Sequence, residues 1–584
     1  MTRPLCFRAL LTAALVAGVS ALSLQGALAA DASPPPASKA PSPPTAAQAA
    51  APAAARVGLA AAYLSGRHAE ANADTSRAVS FFNQARDLDP NNNRLIEDSY
   101  FLAAQVGDFA QAIPAAKRAY DANPRRGIAP VVLAADLYKK KDYAGALAYI
   151  EKIPAQSVNS FALPVLRAWA MAPLKPAETT LAELTLLKNF QDTARLVDVM
   201  GGMLNEHYGL KDAATTNYDA LAANIENERV SVLRIVVKGY QRLGKAQQAK
   251  AAIARYEKAH GASPMLEAMA AGLNQPAPKL TPQEGMSEGL FAAAELLLQN
   301  EPNLARMQIA TAYAQTALHV NPQLTVAKVF IGSAFTARGR YQEANAMLSS
   351  IGRGEPGYLE ARMQIANNLA AMSRTEESLA VLRELLKDRP QWADVHIAVG
   401  DLLRREERFA EAVGEYTAAL KLRPAQAEEN WAIYYTRGIS YERTKDWANA
   451  EKDFKKALEI KPGEASVLNY LGYSYLDRGV NLKEARRLIE MAYSKRPDDG
   501  YIIDSLGWML FVLGEYDKAV VHLEKAVEAA PADATINEHF GDALWKVGRR
   551  TEARYQWQRA LTLDVEDAQR AAISKKLEQG LAQK

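Results

Sequence analysis

Cysteine is all but missing from this chain of 584 residues, whose one thiol is Cys6. No disulfide and no thiolate-ligated metal site can be built in the remainder. Histidine is scarce as well. His68, His207, His260, His319, His396, His522 and His539 lie scattered, none within H-E-x-x-H and none paired at i, i+4, so neither a metal nor a cofactor is expected. Charge of one sign is lacking too: 69 Lys and Arg oppose 66 Asp and Glu, a formal +3. That balance excludes the sustained basic field on which sequence-independent nucleic-acid binding rests. Nor does any apolar run reach the about 20 residues that span a bilayer. The longest, Ala9 to Leu24, follows Arg3 and Arg8 and is followed by Ala27-Leu28-Ala29. This is the pattern of a secretory signal peptide over 1–29, cleaved near Ala29 to release an exported chain without a transmembrane segment. Cys6 lies ahead of the run, so it cannot become the lipidated first residue of a mature protein, and no lipid anchor is expected.

What the chain does have is a repeat. After an Ala/Pro-rich linker over 30–56, with Pro34-Pro35-Pro36 and Pro43-Pro44 favouring extended geometry, a register of about 34 residues takes over. Gly507, Gly514, Ala519, Leu523, Ala526 and Pro531 stand at offsets 0, 7, 12, 16, 19 and 24. Gly400, Glu407, Ala412, Tyr416, Ala419 and Pro424 keep them, as do Gly438, Lys445, Ala450, Phe454, Ala457 and Pro462. Gly472, Gly479, Ala485, Ile489, Ala492 and Pro497 match with one insertion near Asn481, and Gly541, Gly548, Ala553, Trp557 and Ala560 continue the series. Small residues at the first, third and fifth places let two antiparallel helices approach closely. The large fourth residue is expected to fill the space between repeats, and proline to close the second helix. This is the tetratricopeptide period. The fold class expected is an all-α solenoid of helix-turn-helix units, a right-handed superhelix of about 13–14 helix pairs. Degenerate repeats are expected over 57–273, clear ones over 281–567, and a capping helix and tail over 568–584. The break at 273–281 carries Pro276 and Pro278, and Thr281-Pro282-Gln283-Glu284 restarts a helix with a capping box.

Three motifs imitate active sites. Gly285-Met286-Ser287-Glu288-Gly289 fits G-x-S-x-G but lies in the opening turns of a helix with no strand before it. Gly352 to Gly357 fits G-x-G-x-x-G where an inter-repeat turn is due, and Gly239 to Lys245 fits G-x4-G-K with Ala246 in place of Ser or Thr. No nucleophile, base and orienting group come together, and a noncatalytic protein is expected.

The first helix of each pair lines one face of such a solenoid. At its groove positions stand Tyr435, then Asn469 and Tyr473, then Tyr501, Asp504, Trp508 and Phe511, then Glu538, Asp542 and Trp545. Either these rings await a partner, as interface hot spots favour Trp and Tyr, or Phe511 and Trp545 pack on neighbouring helices and Tyr is merely amphipathic. Asp504, Glu538 and Asp542 among them suit a partner segment with basic and apolar groups.

Asn469-Tyr470-Leu471-Gly472-Tyr473, Asp504-Ser505-Leu506-Gly507-Trp508 and His539 to Trp545, followed by Ala553 and Trp557, carry a further likeness. Residues 391–567 resemble the bacterial envelope tetratricopeptide adaptors of the carboxyl-terminal processing protease. The resemblance implies a periplasmic scaffold that wraps a protease and presents its substrates. An assembly scaffold for an envelope or exopolysaccharide-export complex is the alternative.

Overall fold

The computed structural model describes residues 58–581 apart from 73, 125–126, 155–158, 191–192, 300–302 and 426. The expected leader over 1–29, Cys6 and the linker over 30–56 lie outside the described residues. Among the described residues there are thirty α-helices, two short 3-10 turns and no strand. Twenty-eight of the helices form fourteen antiparallel pairs, from Leu59–Ala71 with Thr75–Leu88 to Ala534–Lys546 with Arg550–Leu561. Pro264–Gly272 and the last helix, Asp567–Gln579, stand unpaired. The fold is therefore the all-α helix-pair solenoid that the register predicts. By contacts the chain divides into a unit ending at Asp388 and a unit beginning at Arg389.

The register has a simple physical basis in the second unit. Each glycine at offset 0 sits where a Cβ would press on the large residue at offset 16 of the same pair. Gly400 would meet the Tyr416 ring at 2.8 Å, Gly438 the Phe454 ring at 2.7 Å, Gly507 Leu523 at 2.6 Å and Gly541 the Trp557 indole at 2.5 Å. The large residue thus packs within its own pair first, a correction to the expectation that it fills the gap between repeats. It does reach onward as well, since Phe454 lies 5.2 Å from the Tyr470 ring of the next pair. The alanines at offsets 12 and 19 are fully buried in every one of these pairs.

Offset 7 closes the tight turn between the helices of a pair and needs a left-handed backbone. Gly514 and Gly548 adopt φ of 82° and 85° there, but Glu407 and Lys445 are forced to 57° and 65°. A side chain in that region costs roughly 1–2 kcal/mol, while glycine carries an entropy cost of about 0.5–1 kcal/mol. Lys445→Gly is therefore expected to stabilise the protein by about 0.5 kcal/mol. Gly438→Ala, which drives a methyl into the Phe454 ring, is expected to cost about 1–3 kcal/mol. Urea denaturation of the two variants checks both signs.

Candidate partner-binding faces

Two rows of first helices could receive a partner, one in each unit. In the first unit the row is already covered. The pair Pro282–Leu297 and Leu304–Val320 lies across it, the former against Leu163–Met171 and Ala194–His207, the latter against Asn93–Val106 and Ala129–Lys139. The capping box of Thr281 and Glu284, with Pro282 at the first helical position, starts this pair as the sequence predicts.

The contact is close because of two glycines. Any Cβ on Gly285 would collide with the Trp169 indole, and one on Gly289 would reach Val165 at 2.7 Å. Polar groups then fix the register. The Arg234 guanidinium donates to Glu288 at 2.5 Å, and the Ser231 hydroxyl donates to both Glu295 oxygens at 2.9 Å. Tyr313 donates to Asn159 at 2.7 Å. His319 stacks on Phe109 at 4.2 Å with its Nε2 3.1 Å from Asp136. Arg234 and Glu288 are both buried, and removing one partner of such a pair costs about 3–5 kcal/mol. The G-x-S-x-G stretch is thus a packing surface. Its Ser287 hydroxyl donates to the Glu284 carbonyl one turn back, at 2.9 Å.

The other two motifs are equally local. The Glu355 carboxylate accepts from the Gly352 amide and the Thr325 hydroxyl, closing a turn between helices. Gly239 packs on the Tyr218 ring, and Gly244 turns between the helices of its pair with φ of 74°.

In the second unit the ten groove residues separate into three sets. Glu538, Asp542 and Trp545 are engaged by the chain's own C-terminal helix, Asp567–Gln579. Lys576 donates to Glu538 at 2.7 Å and to Asp542 at 2.6 Å, Gln569 donates to Glu538 at 2.9 Å, and Gly580 lies against the Trp545 indole. Asp542 also accepts from the Trp557 indole at 2.9 Å. Burial would lower the Lys576 pKa, but the Asp542 and Glu538 carboxylates outweigh it and raise the value.

Asp504, Trp508 and Phe511 form a cluster with His539, which lies outside the ten groove positions read from the sequence. The Trp508 indole lies 4.0 Å from the His539 ring at 13° and 4.7 Å from Phe511 at 12°. The His539 Nδ1 stands 3.0 Å from both Asp504 oxygens. Burial pulls the His539 pKa down, yet the carboxylates of Asp504, Asp542 and Glu538 outweigh that and raise it.

Tyr435, Asn469, Tyr473 and Tyr501 make up the third set. Tyr435 packs edge-on to Tyr470 at 5.9 Å. The Asn469 Oδ1 is buried without a hydrogen-bond partner, which is costly for an amide oxygen. Burial, and then the carboxylates of Asp504, Asp477, Glu538 and Asp533, push the Tyr473 hydroxyl pKa up. Tyr501 is 42% exposed. This part of the face offers acceptors and rings, and carboxylates gather round it.

Lys576 and His539 carried only weak signals. His539 holds the same place two residues before Gly541 that Ser505 and Tyr470 hold in earlier repeats, and Lys576 lies in a segment that reads as a polar cap.

Helix pairs in this register, with glycine under a large residue, define a tetratricopeptide scaffold, an architecture suited to binding proteins. Tetratricopeptide repeat family models match residues 102–159, 335–402 and 424–565, so the chain carries these repeats. The TPR repeat-containing protein PA4667 of Pseudomonas aeruginosa is 36% identical over 117 residues, 20% of each chain. Human aspartyl/asparaginyl beta-hydroxylase is 28% identical over 106 residues, 18% of this chain and 14% of that protein. The matches thus span a fifth or less of these relatives. Among solved structures, the Cut9–Hcn1 hetero-tetramer of the APC/C is 14% identical, with 89% of this chain and 96% of that chain covered and a TM-score of 0.37. YrrB, a TPR protein with an unusual peptide-binding site, is 20% identical over 33% of this chain and 97% of that chain, with a TM-score of 0.26.

The raised pKa of His539 has a signed consequence. A group held above its unfolded value contributes stability below that value, and the contribution fades as pH climbs through the folded one. Urea stability is therefore expected to fall as pH rises from about 6.5 upward, through the raised value of His539. In His539→Gln that fall should be absent. Subtracting the variant's profile from the parent's isolates this group from the other histidines.

Proposed function

We propose that this chain is an exported, noncatalytic periplasmic scaffold. Its second unit captures a protein partner on the first-helix face around Asn469, Tyr473 and Tyr501, and the partner segment carries basic and apolar side chains. A carboxyl-terminal processing protease is the partner we favour, with the scaffold presenting its substrates.

One observation carries the choice of face: the first unit's row of first helices is covered by the chain's own pair 282–320, while on the second unit's row Tyr501 is exposed, with the buried, unpaired Asn469 oxygen on the preceding first helix. The chemistry of the face supports the choice of segment. Its unpaired Asn469 oxygen accepts hydrogen bonds and Asp477 adds charge near Tyr473, so an ammonium or guanidinium group suits it. The choice of protease rests on the resemblance carried by Asn469 to Tyr473, Asp504 to Trp508 and His539 to Trp545.

The test is affinity capture from periplasmic extract with the chain from Ala30 as bait, against a Tyr473→Ala/Tyr501→Ala double variant. The protease is expected in the eluate of the parent and reduced roughly tenfold or more with the variant, at unchanged helical circular dichroism. Recovery of export-machine subunits instead, or equal capture by the variant, would overturn the reading.

A further inference from the structure

Independently of that reading, the first unit holds a cleft of about 770 Å³ that no motif anticipates. Three separate elements build it: the end of helix Leu59–Ala71, the start of helix Leu304–Val320, and the turn after helix Thr325–Thr336. Arg67, Arg338 and Arg340 all line it, together with Leu304, Met307 and Gln308.

Two of the three guanidiniums are spoken for. Arg67 pairs with Glu70 at 2.9 Å, and Arg340 donates to Glu343 at 2.9 Å while lying over the Phe335 ring at 4.2 Å. Arg338 is different. No carboxylate among the described residues comes within ion-pair distance of it, and its Nη1 is buried without an acceptor. Buried guanidinium nitrogens are rarely left so, because the lost hydration goes unreplaced. Its burial and the neighbouring Arg340 hold its pKa below the ordinary arginine value, against the weaker pull of Glu70 and Glu343.

The balance of charge selects the ligand. Among the described residues, three guanidiniums against Glu70 and Glu343 leave a single positive charge, which one monoanion neutralises. A phosphate monoester carries about −1.5 to −2 at neutral pH and would overshoot. A carboxylate carries one charge, and its two oxygens match the planar fork of an arginine. Two apolar side chains share the lining: Leu304, 60% exposed, and the buried Met307, which adapts to varied apolar shapes. We propose that this cleft binds a carboxylate monoanion carried on an apolar stem, with Arg338 taking the charge and Leu304 and Met307 the stem.

Isothermal titration of the purified chain with decanoate below its micellar concentration tests this. Decanol (the stem without charge), inorganic phosphate (charge without stem) and N-acetylleucine (a carboxylate on a peptide unit) serve as comparators. One decanoate or one N-acetylleucine is expected to bind per chain, and Arg338→Met should weaken that binding about tenfold or more. Arg338→Lys should weaken it too, because the charge remains but the fork is lost. Leu304→Ser should weaken decanoate more than it weakens N-acetylleucine. Tighter binding of decanoate would identify a free acyl carboxylate as the source, and tighter binding of N-acetylleucine a peptide-borne one. Decanol binding as tightly as decanoate, phosphate binding more tightly than either carboxylate, or affinities unmoved in both Arg338 variants would overturn the assignment.

Discussion

The indole of Trp169 lies against Gly285 and Gly289, one helical turn apart, and the shape of the first unit follows from that contact. Trp169 is fully buried, its Nε1 donates to the Met200 sulfur at 3.4 Å, and its carbonyl accepts from the Tyr138 hydroxyl at 2.7 Å. These contacts hold the ring against the helix 282–297, and only a residue without a side chain can come so close. Once the helix is seated, Glu288 reaches Arg234 and Glu295 reaches Ser231. The following helix, 304–320, then extends along Asn93–Val106 and Ala129–Lys139. A scaffold face that is ordinarily open is closed from within. The same arrangement brings the start of helix 304–320 beside Arg67, and so helps to build the arginine-lined cleft.

Much of the local structure was legible in the sequence, and the reason is that a tetratricopeptide register is set by short-range contacts. Offset 0 reads as a glycine because a ring from the same pair sits on it, as Phe454 sits on Gly438. Offset 7 reads as a turn because the backbone there is left-handed, even at Lys445. Thr281 and Glu284 announce a helix start through hydrogen bonds three residues apart. What escaped was every contact made at long range. Nothing in Gly285 to Gly289 points to Trp169 more than a hundred residues earlier, and the same stretch matches an enzyme motif by chance. Groove positions were legible as positions on a helix, but not as open or filled. Glu538 and Asp542 look like free acids until Lys576 arrives from the last helix. Trp508 looks like a free ring until His539 is laid on it.

Within the second unit the same physics runs at smaller scale. Carboxylates on successive first helices are not left bare: Asp504 holds His539, while Glu538 and Asp542 hold Lys576. These pairs use the charge of the face to bind the stack together. Toward Asn469, Tyr473 and Tyr501 the Asn469 amide oxygen stays unpaired, as does that of Asn537 in the later first helix Ala534–Lys546.

Whether the first unit's face is filled from within is best tested by hydrogen exchange on Gly285→Val against the parent chain. If helix 282–297 seats the whole covering pair, protection should fall together in Asn93–Val106, Ala129–Lys139, Leu163–Met171, Ala194–His207 and Leu304–Val320. Loss confined to 282–297, with the row of first helices as protected as before, would contradict the account.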